Sequence, residues 1–375
     1  MQVPFFDLGR IVRSHSAELH ACLDEVLESG YFVGGSLTSR FEEEFAAFVG
    51  SDFCIGTGNG LDSIRLILEA YGIGPGDEVI VPAFTFYATW LGVTQTGATP
   101  VPVDVLGSSA NLDPGGIAHA ITERTRAIIP VHLYGQAADL GAIKAIAQAH
   151  DLIVVEDAAQ SHGALSNAGM TGAVGNAAAF SFYPTKNLGA LGDAGCVTTS
   201  DPEIADRIRS LRAYGQGGSK YEHIDTGWNS RLDPLQASFL SLHLRSLDEW
   251  TKRRRAIAST YFDALGERAA AVVGPHDVSK SVWHLFVLKA SARADLQGYL
   301  SRHGVNSDVH YPYAVHQLTP MQSILPAAVR NQSFPVAEAL SRQVMSLPMG
   351  PWMSEEQVDQ VAGALREMPE DLLAL

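Results

Sequence analysis

The sequence predicts an α/β domain built on a mostly parallel, buried sheet, followed by a smaller α+β domain. From Asp52 to Gly195, short apolar runs alternate with stretches of helical periodicity, which is typical of strand–helix–strand units. Polar and aromatic residues follow the ends of several of these apolar runs, where ligands bind in such sheets. The chain of 375 residues is long enough for both domains.

The individual elements follow from the same patterns. The first fifty residues are predicted to form an arm and two amphipathic helices, the first over Ala17–Glu28 and the second with Phe41, Phe45 and Phe48 on one face. Strands are predicted at 53–55, 78–81, 100–105, 127–133, 152–155, 177–182 and 196–199. The helices predicted between and after them cover 61–71, 86–96, 117–122 and 140–150, and another helix begins at Pro202.

The last third of the chain has a different organisation. The segment 214–231 is rich in glycine and has no period, which is typical of a functional loop. A long helix is predicted from Pro234 to the basic run 252–255, which we expect to be solvated. Further strands are predicted around 282–288 and 305–309, with helices near 294–303, 336–344 and 355–365. These patterns predict a large domain over 1–250 and a small C-terminal domain over 251–375.

Composition limits the classes of function. The formal charge of −15 disfavours nucleic acid or an anionic membrane as a partner, and no apolar run has transmembrane length. Cys22, Cys54 and Cys196 are scattered, which fits a reducing cytoplasm and disfavours a disulfide framework. The N-terminus carries charged residues too early for a signal peptide. The histidines are spaced too irregularly to predict a metal site.

Asp157 and Lys186 follow two neighbouring predicted strands and predict a pyridoxal phosphate site. A carboxylate there would keep the pyridine nitrogen protonated, and a desolvated amine would be the nucleophile that forms the Schiff base. Further residues suited to the cofactor are Gly58, Asn59, Gly60 and Ser181 for the phosphate and Phe86 for stacking on the ring. Each residue alone has an ordinary structural explanation. Their order at matching strand ends favours a site.

Three long motifs give the chain a family resemblance. They are Glu156-Asp-Ala-Ala-Gln-Ser-His-Gly-Ala, Ser181-Phe-Tyr-Pro-Thr-Lys-Asn-Leu-Gly and Trp228-Asn-Ser-Arg-Leu-Asp-Pro-Leu-Gln-Ala. With these motifs the chain resembles the nucleotide-sugar aminotransferases of the DegT/DnrJ/StrS family, which have the aspartate aminotransferase fold (fold type I). The resemblance runs over essentially the whole chain.

The resemblance implies a role for each matching residue. Lys186 would bind pyridoxal 5'-phosphate covalently and Asp157 would bind its pyridine nitrogen. The other implied cofactor contacts are Gln160 near the phenolic oxygen, Phe86 on the ring, and Gly58, Asn59 and Ser181 at the phosphate. Asn229 would reach the cofactor of a second subunit, which implies a homodimer with shared active sites. Lys186 also separates the chain from the family's deoxygenating branch, which has His at that position.

The resemblance also indicates a substrate. Ser-Phe-Tyr-Pro before the lysine is similar to members that aminate 3-keto-6-deoxy sugars, and the residues at sugar-contacting positions are Tyr183, Lys220, His310 and Tyr311. We therefore predict transfer of the amino group of L-glutamate to C3 of a dTDP-3-keto-6-deoxyhexose. Alternatives are amination at C4 of a 4-keto sugar, amination of a cyclitol ketone, and a regulatory protein without turnover. A nicotinamide dehydrogenase is disfavoured because Leu61 interrupts the dinucleotide-binding glycine pattern.

Overall fold

The computed structural model describes residues 2–219 and 221–374. Its α-helices are α1 Leu8–Ser14, α2 Ser16–Ser29, α3 Ser36–Val49, α4 Gly60–Ala70, α5 Tyr87–Gln95, α6 Pro114–Ala120, α7 Leu140–Ala149, α8 Pro202–Leu211, α9 Pro234–Leu244, α10 Leu247–Leu265, α11 Arg293–Arg302, α12 Thr319–Ile324, α13 Ala327–Arg330, α14 Pro335–Gln343 and α15 Glu355–Glu367. The strands are β1 Phe53–Thr57, β2 Glu78–Pro82, β3 Thr99–Val103, β4 Thr125–Ile128, β5 Ile153–Asp157, β6 Leu165–Ser166, β7 Gly169–Met170, β8 Ala177–Ser181, β9 Gly195–Thr199, β10 Phe286–Lys289 and β11 Val344–Leu347.

Seven of these strands form one sheet in the order β1-β9-β8-β5-β4-β2-β3. The pairs from β3 across to β8 are parallel, and β9 alone runs against its two neighbours. The predicted mostly parallel sheet is therefore confirmed. All seven strands lie at predicted positions, although the strand predicted over 127–133 ends at Ile128. Since the carboxyl ends of β5 and β2 lie at one edge, the residues that follow them meet there.

Helices cover both faces of the sheet, as the apolar character of its strands requires. One face packs against α4, α5 and α8, with Ile67, Trp90 and Ile208 fully buried between them. On the other face a cluster of phenylalanines lies between α3 and the strands, and Phe45 and Phe180 meet edge to face at 5.0 Å. The predicted amphipathic helix with Phe41, Phe45 and Phe48 is thus α3, whose aromatic side faces the sheet.

The C-terminal part has its own two-stranded antiparallel sheet, β10–β11, packed between α10, α11 and α15. The strand predicted at 305–309 is wrong, because Val305 and Asp308 make only isolated bridges, to Val3 and to Ser346. The strand β11 was not predicted. Its four residues follow α14 directly, so their apolar character extends the helical pattern.

The predicted long helix from Pro234 is two helices, since the chain turns between Leu244 and Leu247. The expectation of a solvated basic run is wrong for Arg254, which is fully buried and donates through Nη1 to the carbonyl oxygens of Trp283 and Met349. The proposed division at residue 250 falls inside α10, and the division into two domains stays a prediction. Within the described residues, none of the helices combines the length and apolarity needed to cross a membrane.

Candidate active site

A cavity of about 540 Å³ opens at the carboxyl edge of the large sheet. Ten of the residues singled out from the sequence line it: Asn59, Gly60, Phe86, Asp157, Gln160, Ser181, Tyr183, Lys186, His310 and Tyr311. Gly58 and Asn229 are not among the lining residues, and Lys220 lies outside the described residues. The tertiary structure therefore brings together residues that are up to about 250 positions apart in the chain, from the amino end of α4 to the segment after α11.

Asp157 is the last residue of β5, and its side chain is almost completely buried. Its Oδ2 accepts a hydrogen bond from the Thr89 hydroxyl at 2.8 Å, and its Oδ1 accepts one from the Ala159 N–H at 3.3 Å. Burial raises the pKa of Asp157, while these two donors and the charge of Lys186 counteract that rise. The carboxylate is therefore a desolvated group held in one orientation, which suits pairing with a cationic ring N–H.

Lys186 lies in a turn beyond β8, closed by the bond from its N–H to the Tyr183 carbonyl at 2.8 Å. Burial lowers the pKa of Lys186 to about 8, and the negative charge of Asp157 opposes this decrease. About a tenth of the amine is consequently unprotonated at pH 7, far more than for a lysine with an ordinary pKa. A neutral, desolvated amine is the form that attacks a carbonyl carbon.

The amino end of α4 points into the same cavity. Asn59 caps the helix by accepting from the Asp62 N–H at 2.8 Å. The N–H groups of Gly60 and Leu61 stay unbound in the described part of the chain, because the first turn of a helix has no preceding carbonyl groups to accept from them. Ser181 stands opposite, and a Cβ on Gly60 would lie only 2.8 Å from the Ser181 Cβ. This close approach places the Ser181 hydroxyl and the unbound N–H groups side by side in the cavity lining, where both suit an anion.

Gly58 differs from its predicted use. Its N–H donates to the Ser230 Oγ at 3.0 Å and is already occupied, so its predicted contact with a phosphate has no support in this geometry. Gly60, which the sequence placed in the same glycine-rich turn, lines the cavity instead. The assignment of Gly58 to the cofactor stays a prediction.

Gln160 connects the sheet edge to the C-terminal segment. Its Oε1 accepts from the Tyr134 N–H at 2.7 Å, which fixes the amide so that Nε2 donates to the Tyr311 hydroxyl at 3.0 Å. The Tyr311 ring lies 5.4 Å from the Phe86 ring, whose own side chain is 54% exposed towards the cavity. Phe86 thus offers an aromatic face to a planar ligand. His310 is held by Ser346 and stacks on Phe5.

Several lining residues were not predicted, and one of them is the buried His284. Asn187 donates through Nδ2 to the Val282 carbonyl, so its Oδ1 accepts from His284 Nδ1 at 3.0 Å. His284 is therefore the Nδ1–H tautomer, and its Nε2 has no hydrogen-bond partner among residues 2–219 and 221–374. Burial lowers the pKa of His284, which keeps the ring neutral. The surrounding residues, Val282-Trp-His-Leu-Phe, form no motif from which His284 could have been predicted to line the site.

A buried hydrogen-bonded pair, His132 and Glu156, lies directly behind Asp157, and His132 Nδ1 accepts from the Ala138 N–H at 3.1 Å. Glu156 accepts from His132 Nε2 at 2.8 Å and from the N–H groups of Gly172, Val174 and Gly175. Burial raises the pKa of Glu156, but these donors outweigh it and hold the pKa below the usual value. The His132 N–H also donates to the Asp157 carbonyl at 3.1 Å. The pair thus fixes the end of β5 from the side away from the cavity.

Asn229 projects from a firmly held segment. Its neighbour Trp228 donates to Glu69 at 2.7 Å and lies under the Arg65 guanidinium, and Ser230 donates to Asp62 at 2.7 Å. Both anchors lie on α4, but Asn229 itself is exposed and does not line the cavity of its own chain.

Comparison with known proteins identifies the family. The sequence profile of the DegT/DnrJ/EryC1/StrS aminotransferase family matches residues 14–366. The chain belongs to this family. It is therefore an aminotransferase, as predicted, with the fold type I architecture and with pyridoxal phosphate as its cofactor.

The similar proteins cover nearly the whole chain. The erythromycin biosynthesis sensory transduction protein EryC1 of Saccharopolyspora erythraea is 47% identical over 98% of this chain and 99% of its own. The dTDP-3-amino-3,4,6-trideoxy-alpha-D-glucose transaminase of Streptomyces venezuelae is 45% identical over 98% of this chain and 97% of its own. The crystal structure of S. venezuelae DesV in complex with a ketimine intermediate superposes with a TM-score of 0.92, at 44% identity and 98% coverage of both chains.

The residues of the cavity fit this cofactor. A phosphate matches the unbound N–H groups at the start of α4 and the Ser181 hydroxyl, and a pyridine ring matches the exposed face of Phe86. A protonated ring nitrogen would give the buried Asp157 carboxylate a cationic partner, and the Lys186 amine is available to form the Schiff base. Among the described residues, no group of His, Cys, Asp and Glu is arranged to hold a metal ion.

Proposed function

We propose that this aminotransferase moves the amino group of L-glutamate to C3 of a dTDP-linked 3-keto-6-deoxyhexose in amino-sugar biosynthesis. The observation that carries the proposal is the placement of a desolvated amine, Lys186, and a buried carboxylate, Asp157, in one cavity with the amino end of α4. The relative from S. venezuelae is named as a dTDP-3-amino-sugar transaminase, which supports the sugar and the position. A relative from Aneurinibacillus thermoaerophilus, 43% identical, carries a similar name.

Each candidate site residue has a defined part in this proposal. Asp157 would hold the ring nitrogen in its protonated form, and pyridoxal phosphate, when bound, would supply an electron sink for the carbon that carries the amine. Lys186, with its pKa of about 8, would carry the proton between the substrate carbon and the cofactor. Gln160 Nε2 donates one of its two protons to the Tyr311 hydroxyl, and the other would be donated to the phenolic oxygen of the cofactor. Tyr183, Lys220, His310 and Tyr311 contact the sugar and its diphosphate.

Direct product analysis tests the substrate. The purified enzyme is incubated with L-glutamate and one of three acceptors, the dTDP-3-keto-6-deoxyhexose, the dTDP-4-keto-6-deoxyhexose or a cyclitol ketone, and NMR locates the new amine. We expect amination at C3 with release of 2-oxoglutarate. Product from the 4-keto sugar alone, or from a cyclitol ketone alone, would replace the proposed substrate and leave the enzyme class unchanged.

We further propose a homodimer whose active sites are shared, with Asn229 of one subunit at the cofactor phosphate of the other. Tyr31, Phe32 and Val33 form a contiguous apolar segment that is 66%, 58% and 54% exposed, which is typical of a surface that a partner covers. Asn229 is exposed on a segment anchored to α4, so it is available to a second chain. We place the reaction in the cytoplasm, where the three free cysteines stay reduced.

Mixed dimers test the shared site. Exchange of subunits between Lys186→Ala and Asn229→Ala proteins puts both defects in one site and leaves the other intact. Activity is then expected to recover to about a quarter of the wild-type value, because half of the dimers are mixed and each has one good site. Mixing Lys186→Ala with Asp157→Asn is the control, since every site stays defective. Recovery in neither mixture would contradict the shared site.

A regulatory role without turnover is the second candidate, because two relatives bear regulatory names. The cavity keeps Lys186, Asp157 and Ser181 in place, which favours catalysis. A purified protein that binds the cofactor but forms no 2-oxoglutarate with any keto sugar would support the regulatory role.

A further inference from the structure

Two threonines form a buried chain of hydroxyl groups that ends on Asp157. Thr89 Oγ1 lies 2.8 Å from Asp157 Oδ2, and Thr85 Oγ1 lies 2.9 Å from Thr89 Oγ1. Thr85 is in the loop between β2 and α5, Thr89 is on α5, and Asp157 ends β5. The exposed fractions of the two threonines are 2% and 1%, so water does not compete for these bonds.

The direction of each hydrogen bond follows from the number of protons. A hydroxyl has a single proton, and ionised Asp157 can only accept, so Thr89 must donate to Asp157. Thr89 then has no proton left for Thr85, and Thr85 must donate to Thr89. Protonation of Oδ2 would make the carboxyl the donor and reverse both bonds. Cooperative polarisation along the chain strengthens the arrangement that ends on the anion.

Thr89 departs from the usual behaviour of threonine in a helix. A helical threonine hydroxyl commonly donates to a carbonyl one turn earlier, as Thr94 does to Leu91 at 3.1 Å on the same helix. Thr89 donates to a carboxylate on another element instead. This difference indicates that its hydroxyl serves the site and not the helix.

We propose that Thr89 is a positioning residue that holds the Asp157 carboxylate in its ionised form and fixes Oδ2, and that Thr85 orients the Thr89 hydroxyl for this task. The proposal rests on the role of Asp157 at the pyridine nitrogen. The geometry agrees with the electrostatics, since burial raises the pKa of Asp157 and the Thr89 hydroxyl is the strongest influence that lowers it. The threonines therefore offset part of the cost of burying the charge.

The test measures binding of pyridoxamine 5'-phosphate to the cofactor-free protein by calorimetry between pH 5 and 9. Thr89→Val keeps the shape of the side chain and removes the hydroxyl, and it is expected to weaken binding at neutral pH roughly tenfold, as for loss of a hydrogen bond to a charged group. Affinity is expected to fall at low pH, where Asp157 becomes protonated. In Thr89→Val the midpoint of this fall is expected to lie about one pH unit higher, because the carboxylate takes up its proton more readily. Thr85→Val is expected to shift this midpoint in the same direction by a smaller amount.

Matched variants separate positioning from simple stability. Thr89→Ser keeps the hydroxyl and is expected to restore both the affinity and its pH dependence, whereas Thr94→Val is expected to leave both unchanged. Equal pH profiles for wild type and Thr89→Val would overturn the proposal, as would a weakened Thr89→Ser protein with an unshifted profile. The Asp157→Asn variant separates the role of Asp157 from the role of Thr89. If Asp157→Asn binds the cofactor as tightly as wild type, the role of Asp157 is contradicted. If Asp157→Asn binds weakly while Thr89→Val binds as wild type, only the role of Thr89 is contradicted.

Discussion

Replacement of Lys186 by alanine is expected to lower the turnover number for 2-oxoglutarate formation by at least about a thousandfold, within the usual range for loss of a catalytic acid–base residue. Lys186 is the lysine that lines the described cavity, and its lowered pKa of about 8 makes it the available nucleophile and proton carrier. The measurement is the steady-state rate with glutamate and keto sugar. A second readout is the visible absorbance of bound pyridoxal phosphate, which is expected to change to that of the free aldehyde.

The pH dependence gives an independent check on Lys186. Its pKa is lowered, so the free amine accumulates as the pH rises through about 8. Capture of pyridoxal phosphate by the cofactor-free protein is therefore expected to accelerate over pH 7 to 9 and then level off. Lys252→Ala removes an exposed lysine whose only described bond is with Glu249, and it is expected to behave as wild type. An unchanged absorbance band in Lys186→Ala would contradict the assignment.

Replacement of Asp157 by asparagine is expected to lower turnover by at least about a hundredfold while the fold is kept. Asparagine fills the same space but carries no charge to hold the ring nitrogen protonated. Since burial raises the pKa of Asp157, its ionised form costs stability at neutral pH, where an unfolded aspartate is fully ionised. The cofactor-free variant is thus expected to unfold at the wild-type temperature or above it.

Thermal unfolding and initial rates on the same preparations check this second prediction. Asp263→Asn, an exposed substitution on α10, is the control and is expected to change neither quantity. A large fall in the unfolding temperature of Asp157→Asn would show that the carboxylate supports the fold. Full activity in that variant would remove Asp157 from the catalytic site.

The pattern of the sequence was sufficient for the main sheet. Apolar runs of three or four residues such as Val79–Val81 and Ala177–Phe180 are buried on both faces, so their composition alone marks them as strands of a covered sheet. It was also sufficient to place Asp157 and Lys186 in one cavity, because the two residues follow adjacent strands and parallel strand ends meet at one edge. The substrate position came only from the resemblance of Ser181-Phe-Tyr-Pro.

Patterns failed where contacts decide the structure. Arg254 lies in a basic run that is typical of a solvated helix, yet three carbonyl groups from distant segments accept its hydrogen bonds. Residues 305–309 begin and end with valine, which suggested a strand, but they make only isolated bridges. In both cases the outcome depends on which segments meet, and local periodicity carries no information on that.

The sequence by itself determined the sheet, the positions of Asp157 and Lys186, and the family to which the chain belongs. Only the tertiary structure decided how Asp157 is held, because Thr85 and Thr89 are ordinary hydroxyl residues until folding places Thr85 within 3 Å of Thr89 and Thr89 within 3 Å of the carboxylate. The same holds for the tautomer of His284, which depends on the orientation of Asn187. Hydrogen bonds act over a single contact distance, so the partners become defined only when the chain is packed.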